Sequence, residues 1–221
     1  MINKNKLAPV LAVIVTGFFL TVILFSGCSS GTKKGPTFQV AFCAQYVNEK
    51  AVSEYGSSLT AKMPELTIEG RAPQFMAMQI STGQTANEGL PGGSFADPMM
   101  VMGGIVRISS MVAAGELDVV IADMENAARD ARGSMYLPLK DAFSEAELAA
   151  TGRDLLSFDI VDTASETLAP TGEKTPVYGI DITDNEQLKA IFGNREIGVF
   201  IIANTKNLEL AKKLVLSLAA N

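Results

Sequence analysis

Reactive side chains are scarce in this chain, and the gaps narrow its chemistry. There is no histidine among the 221 residues, so the group most used for proton transfer near neutral pH and for zinc ligation is missing. A Ser–His–Asp or Cys–His arrangement therefore cannot be assembled. The sequence holds no Gly-x-Ser-x-Gly elbow, no Gly-x-Gly-x-x-Gly fingerprint and no phosphate loop. Leu90-Pro91-Gly92-Gly93-Ser94 has the glycines of a phosphate cradle but no following lysine, and reads as a surface loop. Asp181, Asp184 and Glu186 lack the spacing and central glycine of a calcium loop, and read as helix-capping acids. Asp118 and Asp123 bracket the apolar Val119–Ala122, which sets them a strand's length apart. These patterns predict no catalytic residue, no metal ligand set, no cofactor and no enzyme.

What remains is the chemistry of binding. In an open α/β sheet, a ligand site forms at the carboxyl ends of the parallel strands, where loops and helix N-termini converge. The sequence offers Gln45 and Tyr46 after the first strand, Gly70 and Arg71 after the second, and Asp123, Met124 and Glu125 after the third. Asn204 and Thr205 follow the last strand. The candidate ligand set is Gln45, Tyr46, Arg71, Asp123, Glu125 and Asn204. Each has a plainer reading as a cap or solvated turn residue. Arg71 suits a bidentate grip on a carboxylate, or a surface pair with a nearby acid. The absence of tryptophan removes the usual stacking platform for a sugar. Ten methionines, grouped at 76–78, 99–102 and 111, supply adaptable apolar packing and read as core.

The elements that must carry these residues alternate. Phe38 to Ala44 is a short apolar run suited to a strand buried on both faces, and Cys43 within it reads as a small buried hydrophobe. Asn48 to Met63 has apolar residues at helical spacing and Pro64 stops it. Leu66 to Glu69 is a second strand candidate, and Gln74 to Gly93 is mostly loop on account of its glycines. Asp97-Pro98 opens a helix that ends before Gly115. Val119 to Ala122 is a strand, Glu125 to Arg132 a short helix, and Ser144 to Glu147 a capped turn of helix. Val177 to Ile182 and Ile197 to Ala203 are apolar enough for internal strands. The chain closes on an amphipathic helix from Leu208 to about Ala219, with Leu210, Leu214 and Leu218 on one face. Such alternation predicts an α/β fold with a mostly parallel sheet flanked by helices.

The beginning of the chain bears on location. Lys4 and Lys6 precede an uncharged apolar run from Leu7 to Phe25, followed by Ser26, Gly27 and Cys28. A basic start, an apolar stretch and small residues describe a secretory signal, and the cysteine after Ser-Gly resembles the lipobox of bacterial lipoproteins, which implies acylation of Cys28. The run of 19 residues also approaches the ~20 that span a bilayer, so an uncleaved membrane helix is the alternative. Both readings tether the rest of the chain outside the cytoplasm. The division is then 1–27 as signal or anchor, 28–37 as lipidated cysteine and linker, and 38–221 as one domain. Residues 1–27 hold two lysines and no acid, leaving 16 basic against 24 acidic residues beyond them, a formal charge of −8. That charge argues against nucleic acid as a partner. If Cys28 is lipidated, Cys43 has no intrachain partner for a disulfide.

Three stretches are more specific. Ala113-Ala114-Gly115-Glu116-Leu117-Asp118-Val119-Val120-Ile121-Ala122-Asp123 resembles the segment of type II extracytoplasmic solute-binding proteins in which a helix ends, a glycine turns and a strand delivers an acid. Gly198 to Asn207 with the following helix resembles the closing strand, turn and packing helix of that family, and Tyr136-Leu137-Pro138-Leu139 is similar to its loop after the acid-bearing strand. The resemblance implies a small solute as ligand and a membrane transporter subunit as partner. Such proteins have two lobes, but only about 70 residues separate Asp123 from Ile197, so one lobe with a reduced second-lobe insertion is expected.

Overall fold

The structure, a computed structural model, describes residues 35–80, 98–162 and 169–220, with the side chains of 98–101 left aside. The signal or anchor segment, Cys28 and the Leu90–Ser94 loop lie outside the described residues.

Strand β1 (Gln39–Ala44) is buried from Val40 onward, because its apolar run has no polar face to offer solvent. Helix α1 (Glu49–Lys62) follows, capped by Asn48 Oδ1, which accepts from the Ala51 N–H at 3.2 Å. The second strand is not Leu66–Glu69. Glu69 and Gly70 have φ of 49° and 77°, which folds that stretch into a tight turn closed by an Ile68–Arg71 bridge. Strand β2 is instead Gln74–Gln79; it has no β-branched residue, so local propensity conceals it. Helix α2 (Pro98–Ala114) ends at Gly115, whose φ of 64° reverses the chain. Strand β3 (Val119–Asp123) and helix α3 (Met124–Arg132) come next, then short helices α4 (Leu139–Ala142) and α5 (Glu145–Ala150). Strands β4 (Leu155–Leu156), β5 (Asp159–Val161), β6 (Pro170–Lys174) and β7 (Gly179–Asp181) precede a short helix α6 (Lys189–Phe192). Strand β8 (Ile197–Ile201) and helix α7 (Leu208–Ala219) complete the fold.

The main sheet has the order β2-β1-β3-β8-β7-β4. The parallel arrangement expected from the alternating pattern holds for β2, β1 and β3. From β3 to β8, β8 to β7 and β7 to β4 the pairing is antiparallel, so the sheet as a whole is mixed. Strands β5 and β6 form a separate two-stranded ribbon. Helices α1, α6 and α7 cover one face, where Phe42, Val52, Ile191 and Leu214 share a core. Helices α2 and α3 cover the other, with Ile108, Ala127 and Ala131 against Ala41, Cys43 and Val120. This is a three-layer α/β arrangement.

The closing helix supplies a direct check. Leu214 is fully buried and Leu218 nearly so, whereas Lys206 in the preceding turn is exposed. Leu214→Ala should cost about 2–5 kcal/mol by leaving a cavity, and Lys206→Ala less than about 0.5 kcal/mol. Chemical denaturation measures both; equal costs would mean that the turn, not the helix face, carries the packing.

Candidate functional site

The carboxyl ends of β1 and β3 and the amino end of antiparallel β8 meet at one edge of the sheet. Gln45, Tyr46, Asp123, Glu125 and Arg195 therefore share that edge. Asp123 ends β3 and caps α3: its Oδ1 accepts from the Asn126 N–H at 3.0 Å and from Asn126 Nδ2 at 2.8 Å. Its Oδ2 accepts from the Gln45 N–H at 3.2 Å and lies 3.6 Å from Arg195 Nη1. With its side chain only 7% exposed, Asp123 is spent on holding the edge together and does not face a ligand. Arg195 Nη2 also donates to Gln45 Oε1 at 3.3 Å. Its side chain is 37% exposed and Tyr46 is 55% exposed, so the outward surface consists of a guanidinium, the half-buried Gln45 and an aromatic ring. Glu125 is half-buried beside them.

Two candidates stand elsewhere. Arg71 precedes β2 rather than following a strand, so it occupies the opposite edge, where it pairs with Glu69 at 3.7 Å. Asn204 follows β8, and because β8 runs antiparallel to β3 its carboxyl end also falls at that opposite edge. There Asn204 Nδ2 donates to Val112 O at 2.6 Å. Its neighbours Thr205 and Asn207 donate to Asp118 Oδ1 at 2.5 and 3.1 Å, and the Gln39 N–H donates to Asp118 Oδ2 at 2.9 Å. This is a structural knot joining β1, β3 and the turn before α7. Arg71 and Asn204 thus leave the candidate set. Arg195, which was not in it, enters by the same reversal of β8, and Asn126 joins as the residue three after Asp123 that completes the cap. The Asp-x-x-Asn spacing was the available signal for Asn126.

Behind the edge, polar contacts continue inward. Asn126 Nδ2 also donates to Ile80 O at 3.1 Å, and Asn126 Oδ1 accepts from Arg129 Nη1 at 2.6 Å. Arg129 Nε donates to Asp130 Oδ1 at 2.8 Å, while its buried Nη2 sits 2.6 Å from the same oxygen without an aligned hydrogen bond. Tyr136 Oη donates to Asp130 Oδ2 at 3.3 Å. Burial pushes the Asp130 carboxyl above its ordinary value, with Arg129 and Tyr136 pulling it back. Burial, reinforced by Asp130, likewise raises the Cys43 thiol well above its ordinary value, which keeps it a thiol rather than a nucleophilic thiolate. Among the described residues no three His, Cys, Asp or Glu side chains group closely enough to hold a metal ion. Asp181 and Asp184 are used locally: Asp181 Oδ1 accepts from the Thr183 N–H at 2.7 Å and Asp184 pairs with Arg153.

Asp118 is raised too, again chiefly by burial. A carboxyl raised on folding keeps its proton to higher pH in the folded than in the unfolded state. The resulting penalty is present above the folded pKa and vanishes as pH falls below the ordinary carboxylate range. Wild type should therefore gain stability relative to the Asp118→Asn/Asp130→Asn variant as pH is lowered from about 7 to about 4. Urea unfolding across that range measures the gap; a wild type that loses ground on acidification would contradict the assignment.

A groove of the described surface lies away from this edge. It has a volume of about 650 Å³ and lies along β2 between α1 and α2. A second, of about 520 Å³, is bordered by Arg153, Asp181 and Lys189. Compared with family models, with curated proteins and with solved structures, the chain matches none.

Proposed function

We propose that this chain is a membrane-anchored extracytoplasmic lipoprotein of solute-binding type, reduced to one lobe and serving as an accessory to a transporter, with a small polar solute held at the Gln45–Asp123–Arg195 edge. The observation that carries the reading is the convergence there of three segments far apart in sequence, locked by a single buried carboxylate. Asp123 and Gln45 position Arg195, whose guanidinium together with Tyr46 and Gln45 offers donors, an acceptor and a stacking surface. A guanidinium, an amide and an aromatic ring are groups suited to recognition, and they make the edge a binding site in this reading. The described part of the stretch between β3 and β8 holds helices α3 to α6, strands β4 and β7 of the main sheet and the β5–β6 ribbon. These short elements support reading the stretch as a reduced insertion rather than a full second lobe. A second reading, an interaction or structural domain that has lost its pocket, draws support from Asp123 being consumed internally.

Two experiments test the two halves of the proposal. Metabolic labelling with a fatty-acid analogue should mark the wild type and not Cys28→Ser; equal labelling would leave the uncleaved helix as the anchor. Differential scanning fluorimetry against pooled metabolites should reveal a pool that stabilises the wild type but not a Tyr46→Ala/Arg195→Met variant. If no pool stabilises the wild type, the structural reading takes its place.

A further inference from the structure

Among the described residues β2 is an outer strand of the sheet, and no described strand pairs with its free side. Gln74–Gln79 contains no charge, proline or glycine, whereas exposed edges are normally blunted by lysine, proline, a bulge or a covering element. The Gln74 N–H donates to Phe38 O at 2.8 Å and the Ile80 N–H to Ala44 O at 2.9 Å. In a parallel ladder this fixes the alternation: even-numbered residues bond to β1, and the main-chain groups of Phe75 and Ala77 point outward. They open into the 650 Å³ groove, which is walled by Ser53, Gly56 and Ser57 of α1 and by Arg107 of α2. Gly56 is what lets α1 lie so close, since a Cβ there would fall 2.4 Å from the Phe75 ring. At the far end α2 closes over the strand, where a Cβ on Gly104 would stand 3.3 Å from Gln79 O. Among the described residues, the open part is a slot between two helices whose outward main-chain donors and acceptors have no strand partner.

We propose that this slot takes an extended segment of a partner protein as an added strand beside β2, with an acidic side chain next to Arg107. Main-chain pairing supplies affinity in such strand addition and side-chain pockets supply selectivity. The charge argument selects the occupant. Arg107 is exposed and has no ion-pair partner among the described residues, while Glu49, the other charged wall residue, stands at the start of α1. A second copy pairing through its own β2 about a two-fold axis would set the two Arg107 side chains toward each other, because Arg107 lines the slot with Phe75, Met76 and Ala77 at the middle of β2. A foreign strand with an aspartate or glutamate at that position has no such conflict.

Fluorescence anisotropy of the full-length chain with labelled hexapeptides of alternating valine and threonine, carrying a central Asp, Asn or Lys, tests this. The Asp peptide should bind saturably and roughly threefold tighter than the Lys peptide, as for an exposed ion pair, and Arg107→Glu should reverse that order. Methylating alternate peptide nitrogens should abolish binding. Ala77→Pro should abolish it as well, because it removes an outward amide that β1 does not use; should that variant fail to fold, the N-methylated peptides and Arg107→Glu decide. Absence of binding by all three peptides, binding indifferent to N-methylation, or a concentration-dependent dimer of the chain at this edge would overturn the proposal.

Discussion

Phe200→Ala should destabilise the domain by about 3–5 kcal/mol. Phe200 is fully buried in β8, its ring stacked on Tyr136 at 4.4 Å between centroids with an interplanar angle of 18°. A tilted contact with Phe158 follows at 6.1 Å. The ring also fills the space over two glycines. A Cβ on Gly179, the residue opposite Phe200 on β7, would lie 2.2 Å from Phe200 Cε1, and one on Gly198 would lie 2.7 Å from Phe200 Cζ. Gly179 is thus explained by the Phe200 ring alone, Gly198 by that ring together with Leu156 Cδ1 at 2.4 Å, and a coupling is expected at Gly179. Gly179→Ala alone should cost about 1–3 kcal/mol as overpacking, yet in the Phe200→Ala background the added methyl occupies vacated space and should cost much less. Urea denaturation of the two single variants and the double variant gives the interaction term. Simply additive costs would mean that the ring does not sit over the glycine.

Asp123→Ala should cost about 2–4 kcal/mol, combining a lost helix cap with buried donors left unpaired. The Gln45 N–H, the Asn126 N–H and Asn126 Nδ2 all lose an acceptor at once. The ion pair with Arg195 adds little to that figure, since the guanidinium is more than a third exposed and screened by water. Asp123→Asn retains one acceptor oxygen and should cost less than Asp123→Ala. Thermal unfolding ranks the two; if Asp123→Ala proved as mild as an ordinary surface change, the carboxylate would not be the lock of this edge. In the proposed function Asp123 is a positioning residue. Both substitutions should weaken solute binding by freeing Arg195 and the Gln45 loop.

The layers of this fold were more legible than the direction of its strands. The continuous apolar runs at β1, β3 and β8 and the leucine spacing of α7 carry their own burial signal, because a strand covered on both faces cannot alternate with polar residues. The α/β class follows from them. What local sequence does not encode is which way a strand lies against its neighbour. β8 reads as an internal strand in either direction, and only tertiary pairing makes it antiparallel to β3. That single reversal moves Asn204 to the far edge and brings Arg195 to Asp123. β2 was hidden for a different reason: its methionines and alanine have weak strand preference, and the chain on its carboxyl side is rich in glycine. Arg71 was misplaced with it. Gln45, Tyr46, Asp123 and Glu125 depended only on β1 and β3, whose parallel pairing follows from the α/β alternation, and these four do share one edge.

Native mass spectrometry of the full-length chain, released gently from membranes and then mixed with pooled metabolites, tests the central claim most directly. The account predicts a wild-type population carrying a small-molecule adduct that is lost on collisional activation, and no such adduct on Arg195→Met. A wild type that flies only at its bare mass, with and without the metabolite pools, would contradict it.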